Sequence, residues 1–325
     1  MKKTPWRREA DAYPLRGELA PRFTDLDLWQ HLNNAAIIAL HGEAIQRWLR
    51  TVLGADVWRC KAPLLAARSL ATDFLAEAHY PEPLATGVRL LGVDADGFRV
   101  GSALFQHGAC VGLHEVQIGA WLHGSPVPLP PEVVERLQAE AARQPTVPGA
   151  AVGASQAVAA PALVVGDFPW QLAMDSRFGD TDALGQAGDL SLARCAEQTR
   201  VQFLTQTFGA GRLAAPTGFI VGHVALRWLH RGRPPARWIN TCGVSRLGER
   251  SMAVRGGVFD GAQCLAVCDT VMVAIDHASR RSCPLPAEAR ELLAPYALKA
   301  RTARCWRRPF LPDNVARTDD LLRDP

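Results

Sequence analysis

Residues 22–34 read Arg-Phe-Thr-Asp-Leu-Asp-Leu-Trp-Gln-His-Leu-Asn-Asn, and residues 177–189 read Arg-Phe-Gly-Asp-Thr-Asp-Ala-Leu-Gly-Gln-Ala-Gly-Asp. An Arg-Phe-x-Asp-x-Asp core thus recurs in register, about half a chain apart, within 325 residues. A repeat of that length is a duplicated domain, not a solenoid, because solenoid periods run to about 20–50 residues. It constrains the chain to two similar halves, each long enough to bury its own core.

The two copies also share their downstream pattern. Residues 32–49 and 190–204 carry apolar side chains at helical spacing, as in Ile37, Ile38, Leu40, Ile45, Trp48 and Leu49. Gly54 and Gly209 stop the two helices. Strand-like runs come next: 69–79, 88–93, 98–107 and 110–122 in the first half, then 219–229, 238–244, 251–259 and 263–275 in the second. Residues 94–97, His107-Gly108 and Asp260-Gly261 separate runs as hairpin turns. Each half leaves through prolines (126–131 and 284–286), after which a further helix is expected. One long helix and a meander of strands, written twice, is an α+β arrangement. The expected domains are 1–144 and 168–298, joined by an Ala/Val/Pro/Gly-rich linker at 145–167 and followed by a basic tail at 299–325.

Within the motif, Asp25 and Asp180 suit capping or a turn. Asp27 and Asp182 stand just before the helical run, where unpaired backbone N–H groups and the helix dipole attract developing negative charge. A carboxylate beside such donors can attack an activated acyl carbonyl or activate a water. His31, four residues after Asp27, is placed to pair with it and to carry a proton. Glu43 and Glu197, at similar points of the two helices, suit pairing with Arg47 and Arg200 better than the alternative of a catalytic carboxylate.

At these residues the chain resembles a known family. The stretch 25–34 is similar to the Asp-x-Asp-x-x-Gly-His-x-Asn-Asn signature of hotdog-fold acyl thioesterases, which include 4-hydroxybenzoyl-CoA thioesterase. Its Gln-His-Leu-Asn-Asn ending is like that of plant acyl-ACP thioesterases, double hotdogs in one chain. The resemblance implies two hotdog domains, each a long helix wrapped by a curved antiparallel sheet, paired as an internal pseudo-dimer open to further homo-oligomerisation. It implies hydrolysis of acyl-CoA or acyl-carrier-protein thioesters, with Asp27, His31, Asn33 and Asp182 as catalytic residues. Oxyanion donors are implied at Asn34 and Asp189. The chain departs from the pattern at Trp29, where the plant motif has Asn, and at Ile37, where many relatives have Tyr. The second copy has Gln186 for His and Gly188-Asp189 for Asn-Asn, and Gln cannot exchange a proton. The first copy is therefore the fuller match. Hotdog dehydratases and hydratases, or a non-catalytic acyl-binding protein, are the alternative readings.

Other signals narrow the class. No nucleophile elbow, phosphate loop or His-Glu-x-x-His is present. Neither a metal nor a cofactor is expected. Eight scattered cysteines without a CxxC pair read as reduced thiols of a cytoplasmic protein. A formal net charge of +4 does not argue for nucleic acid, and no long apolar run argues for a membrane span or a secretory leader. The basic, aromatic stretch around Arg301, Arg304, Trp306, Arg307 and Arg308 reads as a solvated tail.

Overall fold

The computed structural model describes residues 5–55, 57, 63–147, 163–182, 185–209 and 216–303. Most of the expected linker (148–162), the tail beyond 303, Cys60 and Cys305 lie outside the described residues. The chain divides into two compact units, 1–157 and 158–325.

The first unit runs β1 (Leu15–Leu19), α1 (Asn34–Leu53), β2 (Leu64–Phe74), β3 (Leu84–Asp94), β4 (Gly97–Gln106), β5 (Ala109–Leu122), β6 (Ser125–Val127) and α2 (Pro131–Arg143). Its sheet has the order β1-β3-β4-β5-β2, antiparallel throughout, with β6 on β5. The second unit runs β7 (Trp170–Asp175), α3 (Asp189–Phe208), β8 (Thr217–Trp228), β9 (Arg237–Leu247), β10 (Ser251–Asp260), β11 (Gln263–Asp276), α4 (Ala287–Leu293) and α5 (Ala300–Ala303). Its order, β7-β9-β10-β11-β8, repeats the first strand for strand. Each unit is a helix laid on an antiparallel sheet, the α+β hotdog arrangement.

The helices form where the apolar spacing placed them. Ile37, Ile38, Leu40, Ala44, Ile45, Trp48 and Leu49 are all buried on α1. Both helices end at a glycine with positive φ, Gly54 (103°) and Gly209 (81°), whose N–H groups return to Arg50 and Thr205 carbonyls. His107 and Gly108, both at positive φ, make the β4–β5 turn. In the second unit Trp170, Phe203, Cys242, Val244, Met252, Val254, Met272 and Leu293 form the core.

One strand differs from expectation. The run expected at 69–79 is in place as β2, Leu64–Phe74. Residues beyond Phe74 leave the sheet because their backbone groups are used elsewhere. The Ala78 carbonyl accepts the Leu32 N–H at 2.8 Å, and the His79 N–H donates to the Gln106 side chain at 2.9 Å. This diversion carries Glu77 and His79 to the repeated loop.

Candidate active site

The first Asp of each motif caps a short turn and not the long helix. The Asp25 carboxylate accepts from the Arg22 backbone N–H (2.8 Å) and guanidinium (3.0 Å); Asp180 accepts from the Arg177 N–H at 2.7 Å. Both aspartates are buried, whereas the arginines are mostly exposed. Strong screening by solvent leaves little stabilisation in those ion pairs. The backbone hydrogen bonds set the turn.

The second Asp organises the loop itself. Asp27 Oδ1 accepts the Trp29 N–H at 2.9 Å and the His31 N–H at 3.3 Å, and the Asp27 N–H donates to the His31 carbonyl at 2.8 Å. This closes a tight loop in which Gln30 takes φ 67°, a left-handed conformation disfavoured for a residue with a Cβ. With Oδ1 engaged, Oδ2 faces His31 Nδ1 at 3.6 Å. His31 Nε2 lies 3.4 Å from Glu77 Oε1, and the His79 ring stands 6.0 Å from the His31 ring. Asp27 and His31 are about four-fifths buried at their side chains. One imidazole is therefore flanked by two carboxylates. Leu28 and Trp29 project from the same loop into solvent.

Asn33 is the N-cap of α1, its Oδ1 accepting the Ala35 N–H at 2.7 Å. Asn34 is the first residue of α1, where a backbone N–H has no acceptor within the helix.

The second copy repeats the backbone and changes the chemistry. Asp182 Oδ1 accepts the Gln186 N–H at 3.0 Å, the Asp182 N–H donates to the Gln186 carbonyl at 2.8 Å, and Gly185 (φ 72°) fills the position of Gln30. Gln186 is buried where His31 stands in the first copy. Ala187 bonds to the Gly232 carbonyl as Leu32 bonds to that of Ala78, so Arg231 occupies the place of Glu77. Arg231 is 1% exposed at its side chain and donates to the carboxylate of Asp189, the first residue of α3, at 2.6 Å. A carboxylate at one site is a guanidinium at the other. Sequence reasoning placed Asp27, His31, Asn33 and Asn34 in one loop, and Asp182 and Asp189 in the other. It missed Glu77, His79 and Arg231, which reach the loops from segments far along the chain. The parallel offset of Glu77 and Arg231 from the two motifs was the available signal.

Glu43 and Glu197 pair with Arg47 (2.9 Å) and Arg200 (3.8 Å). Burial pushes the thiols of Cys195, Cys242 and Cys264 up to about 12, so they are protonated and poor nucleophiles. Among the described residues no group of His, Cys, Asp or Glu is arranged to hold a metal, and no helix is long and apolar enough to cross a membrane.

The sequence profile of the Thioesterase-like superfamily matches residues 21–137 and again 176–293. No curated protein matches the sequence. Among solved structures the chain is similar to the 12:0-ACP thioesterase from Umbellularia californica, with a TM-score of 0.61 at 11% identity over 80% of this chain and 94% of that one. It is also similar to an acyl-ACP thioesterase from Bacteroides thetaiotaomicron, with a TM-score of 0.56 at 8% identity over 79% and 97%. At such identities the likeness shows a shared fold. The profile matches both copies and more than half of the residues, so the chain belongs to the thioesterase-like superfamily.

Proposed function

We propose that this protein hydrolyses acyl thioesters of coenzyme A or acyl carrier protein, using the loop that carries Asp27 and His31. The observation that carries the reading is the Asp27–His31–Glu77 line, with contacts of 3.6 and 3.4 Å at the two imidazole nitrogens. An imidazole at this place can hand a proton to a departing thiolate. Asp27 Oδ2 either takes a proton from an attacking water or adds to the thioester carbonyl itself. In both routes the C–S bond breaks, the thiol leaves with a proton, and water supplies the oxygen of the released acid. The N–H at Asn34 stands at the start of α1, where a helix favours an oxyanion. Asn33 supports that geometry as the cap.

Asp182 and Asp189 form the weaker site in this reading. Gln186 carries no exchangeable proton at that position, and Asp189 is held by Arg231. The two similar structures are both named as acyl-ACP thioesterases, which supports a carrier-protein thioester as one substrate class. A cytoplasmic role in acyl metabolism goes with this substrate class.

The test is thiol release from a panel of acyl-CoA and acyl-carrier-protein thioesters. Asp27→Asn is expected to lower kcat by about 100-fold or more, the usual worth of a positioned acid–base group. Asp182→Asn is expected to keep most of the activity. Full activity in Asp27→Asn on every thioester that the wild type cleaves defeats the proposal. Hydration of an enoyl thioester without thiol release supports the hydratase reading instead.

A further inference from the structure

The sheet of the first unit ends on β1. Among the described residues this strand pairs with β3 and with no other strand. Its sequence, Leu15-Arg16-Gly17-Glu18-Leu19, runs apolar, charged, glycine, charged, apolar, and the three middle residues are exposed. An end strand presents backbone N–H and C=O groups that a further strand can pair, and a charge on it ordinarily opposes such pairing. Here the two charges have opposite signs and stand one on either side of Gly17.

Antiparallel pairing with the β1 of a second copy, centred on Gly17, sets each Arg16 opposite a Glu18 and each Leu15 opposite a Leu19. Directly opposed side chains share a face of the sheet, so both ion pairs form on one face and both leucine pairs on the other. Other registers lose this match. A slip by one residue sets the charges against glycine or leucine and turns one strand's leucines to the charged face. A slip by two sets Arg16 against Arg16, or Glu18 against Glu18. Within its own chain Arg16 is held by the Asp11 carboxylate at 2.7 Å and the Tyr13 carbonyl at 3.4 Å, whereas the Glu18 carboxylate has no partner among the described residues. The Glu18 carbonyl accepts from the Arg47 guanidinium at 3.2 Å, and its second lone pair leaves room for a backbone donor. The end strand of the second unit, β7, carries Gln171 and Ala173 where β1 has Arg16 and Glu18, counting from the motif arginines. Its one charge, Asp175, faces Arg237 of β9 at 3.7 Å. The self-matching charges belong to the first edge alone.

We propose that β1 is the contact through which two copies of this chain associate, edge to edge about a two-fold axis at Gly17. A patch that is complementary to itself is what a two-fold interface requires. A five-residue strand is a small contact, so the association is weak, with a Kd of about 10–100 μM. Salt weakens it further, because both ion pairs are exposed. The inference does not rest on the hydrolase reading.

Sedimentation velocity of the full-length protein from about 1 to about 200 μM at low salt tests it. The wild type should pass from monomer to dimer over that range. Arg16→Glu and Glu18→Arg each set like charges opposite one another twice per dimer, and each should weaken dimerisation by about tenfold or more. The two variants match each other, so an equimolar mixture of them should recover the dimer. Glu18→Gln, which removes one partner and adds no like charge, should weaken dimerisation by about threefold, and it keeps the test decisive if a reversal does not fold. A wild type that is monomeric throughout overturns the proposal. So does a dimer that the folded variants leave unchanged, which places the contact elsewhere, and so does a mixture of the two reversals that stays monomeric.

Discussion

His41 of α1 and His114 of β5, whose rings stack at 5.0 Å, make the first unit sensitive to acid. Burial, and next the charge of Arg7, lower the His114 pKa to about 3; burial, and next His114, lower that of His41 well below its usual value. Both imidazoles are therefore neutral in the folded protein around pH 5, whereas in the unfolded chain each titrates near 6.5. Between about 6.5 and 3 the unfolded state binds more protons, so stability rises with pH across that window and is lost as pH falls through it. At pH 5 the gap for His114 is about 1.5 pH units, or about 2 kcal/mol. His41 adds in the same direction. Against a typical domain stability of about 5–15 kcal/mol this is a large loss. Urea unfolding at pH 7 and pH 5, on the wild type and on His114→Gln, isolates the effect. The Arg7–Glu115 and Arg99–Glu115 ion pairs and the buried Asp73 are common to both proteins. The wild type should lose about 2 kcal/mol more than the variant between the two pH values, a midpoint difference of about 1 M urea. Equal losses in the two proteins refute the reasoning.

Individual contacts give three further expected outcomes. Gln30→Gly should stabilise the protein by about 1 kcal/mol, because Gln30 holds φ 67° where the second copy has Gly185; an unchanged or lower urea midpoint contradicts this. Asn33→Ala should cost about 1 kcal/mol through loss of the α1 cap, read as a drop in thermal midpoint. Arg7→Met should cost about 3 kcal/mol or more, since it removes one of the two guanidinium partners of the buried Glu115; a loss under about 1 kcal/mol in urea unfolding counts against it.

Much of the fold was legible because it rests on local pattern. The helices of both units follow apolar spacing and stop at Gly54 and Gly209, and the meanders follow turn residues such as His107-Gly108. The candidate site was legible only where it is local too. Asp27, His31 and Asn33 share one loop, so their spacing reveals them. Glu77 lies 46 positions from His31 and reads in sequence as the end of a strand. Its role depends on where the Ala78 carbonyl finds a donor, which is a tertiary matter. His41 was hidden for a different reason. It sits on the apolar face of α1 at helical spacing, and nothing local distinguishes a polar stack there from ordinary core.

Duplication explains why these hidden residues differ in pairs. At the loop, the His31-to-Gln186 change accompanies the change from Glu77 to Arg231. The second loop thus has a guanidinium, held by the Asp189 carboxylate, at the position where the first has a carboxylate. In the interior, the imidazole pair is lost together with Ser102, the hydrogen-bond partner of His41, and by helix position and strand register Ala196, Cys268 and Gly256 stand in their places. Each change is one that a single-copy enzyme would have to reverse or compensate at its only site. With two copies the first keeps an imidazole between two carboxylates. The second is free to exchange a carboxylate for a buried arginine, and a packed polar stack for alanine, cysteine and glycine.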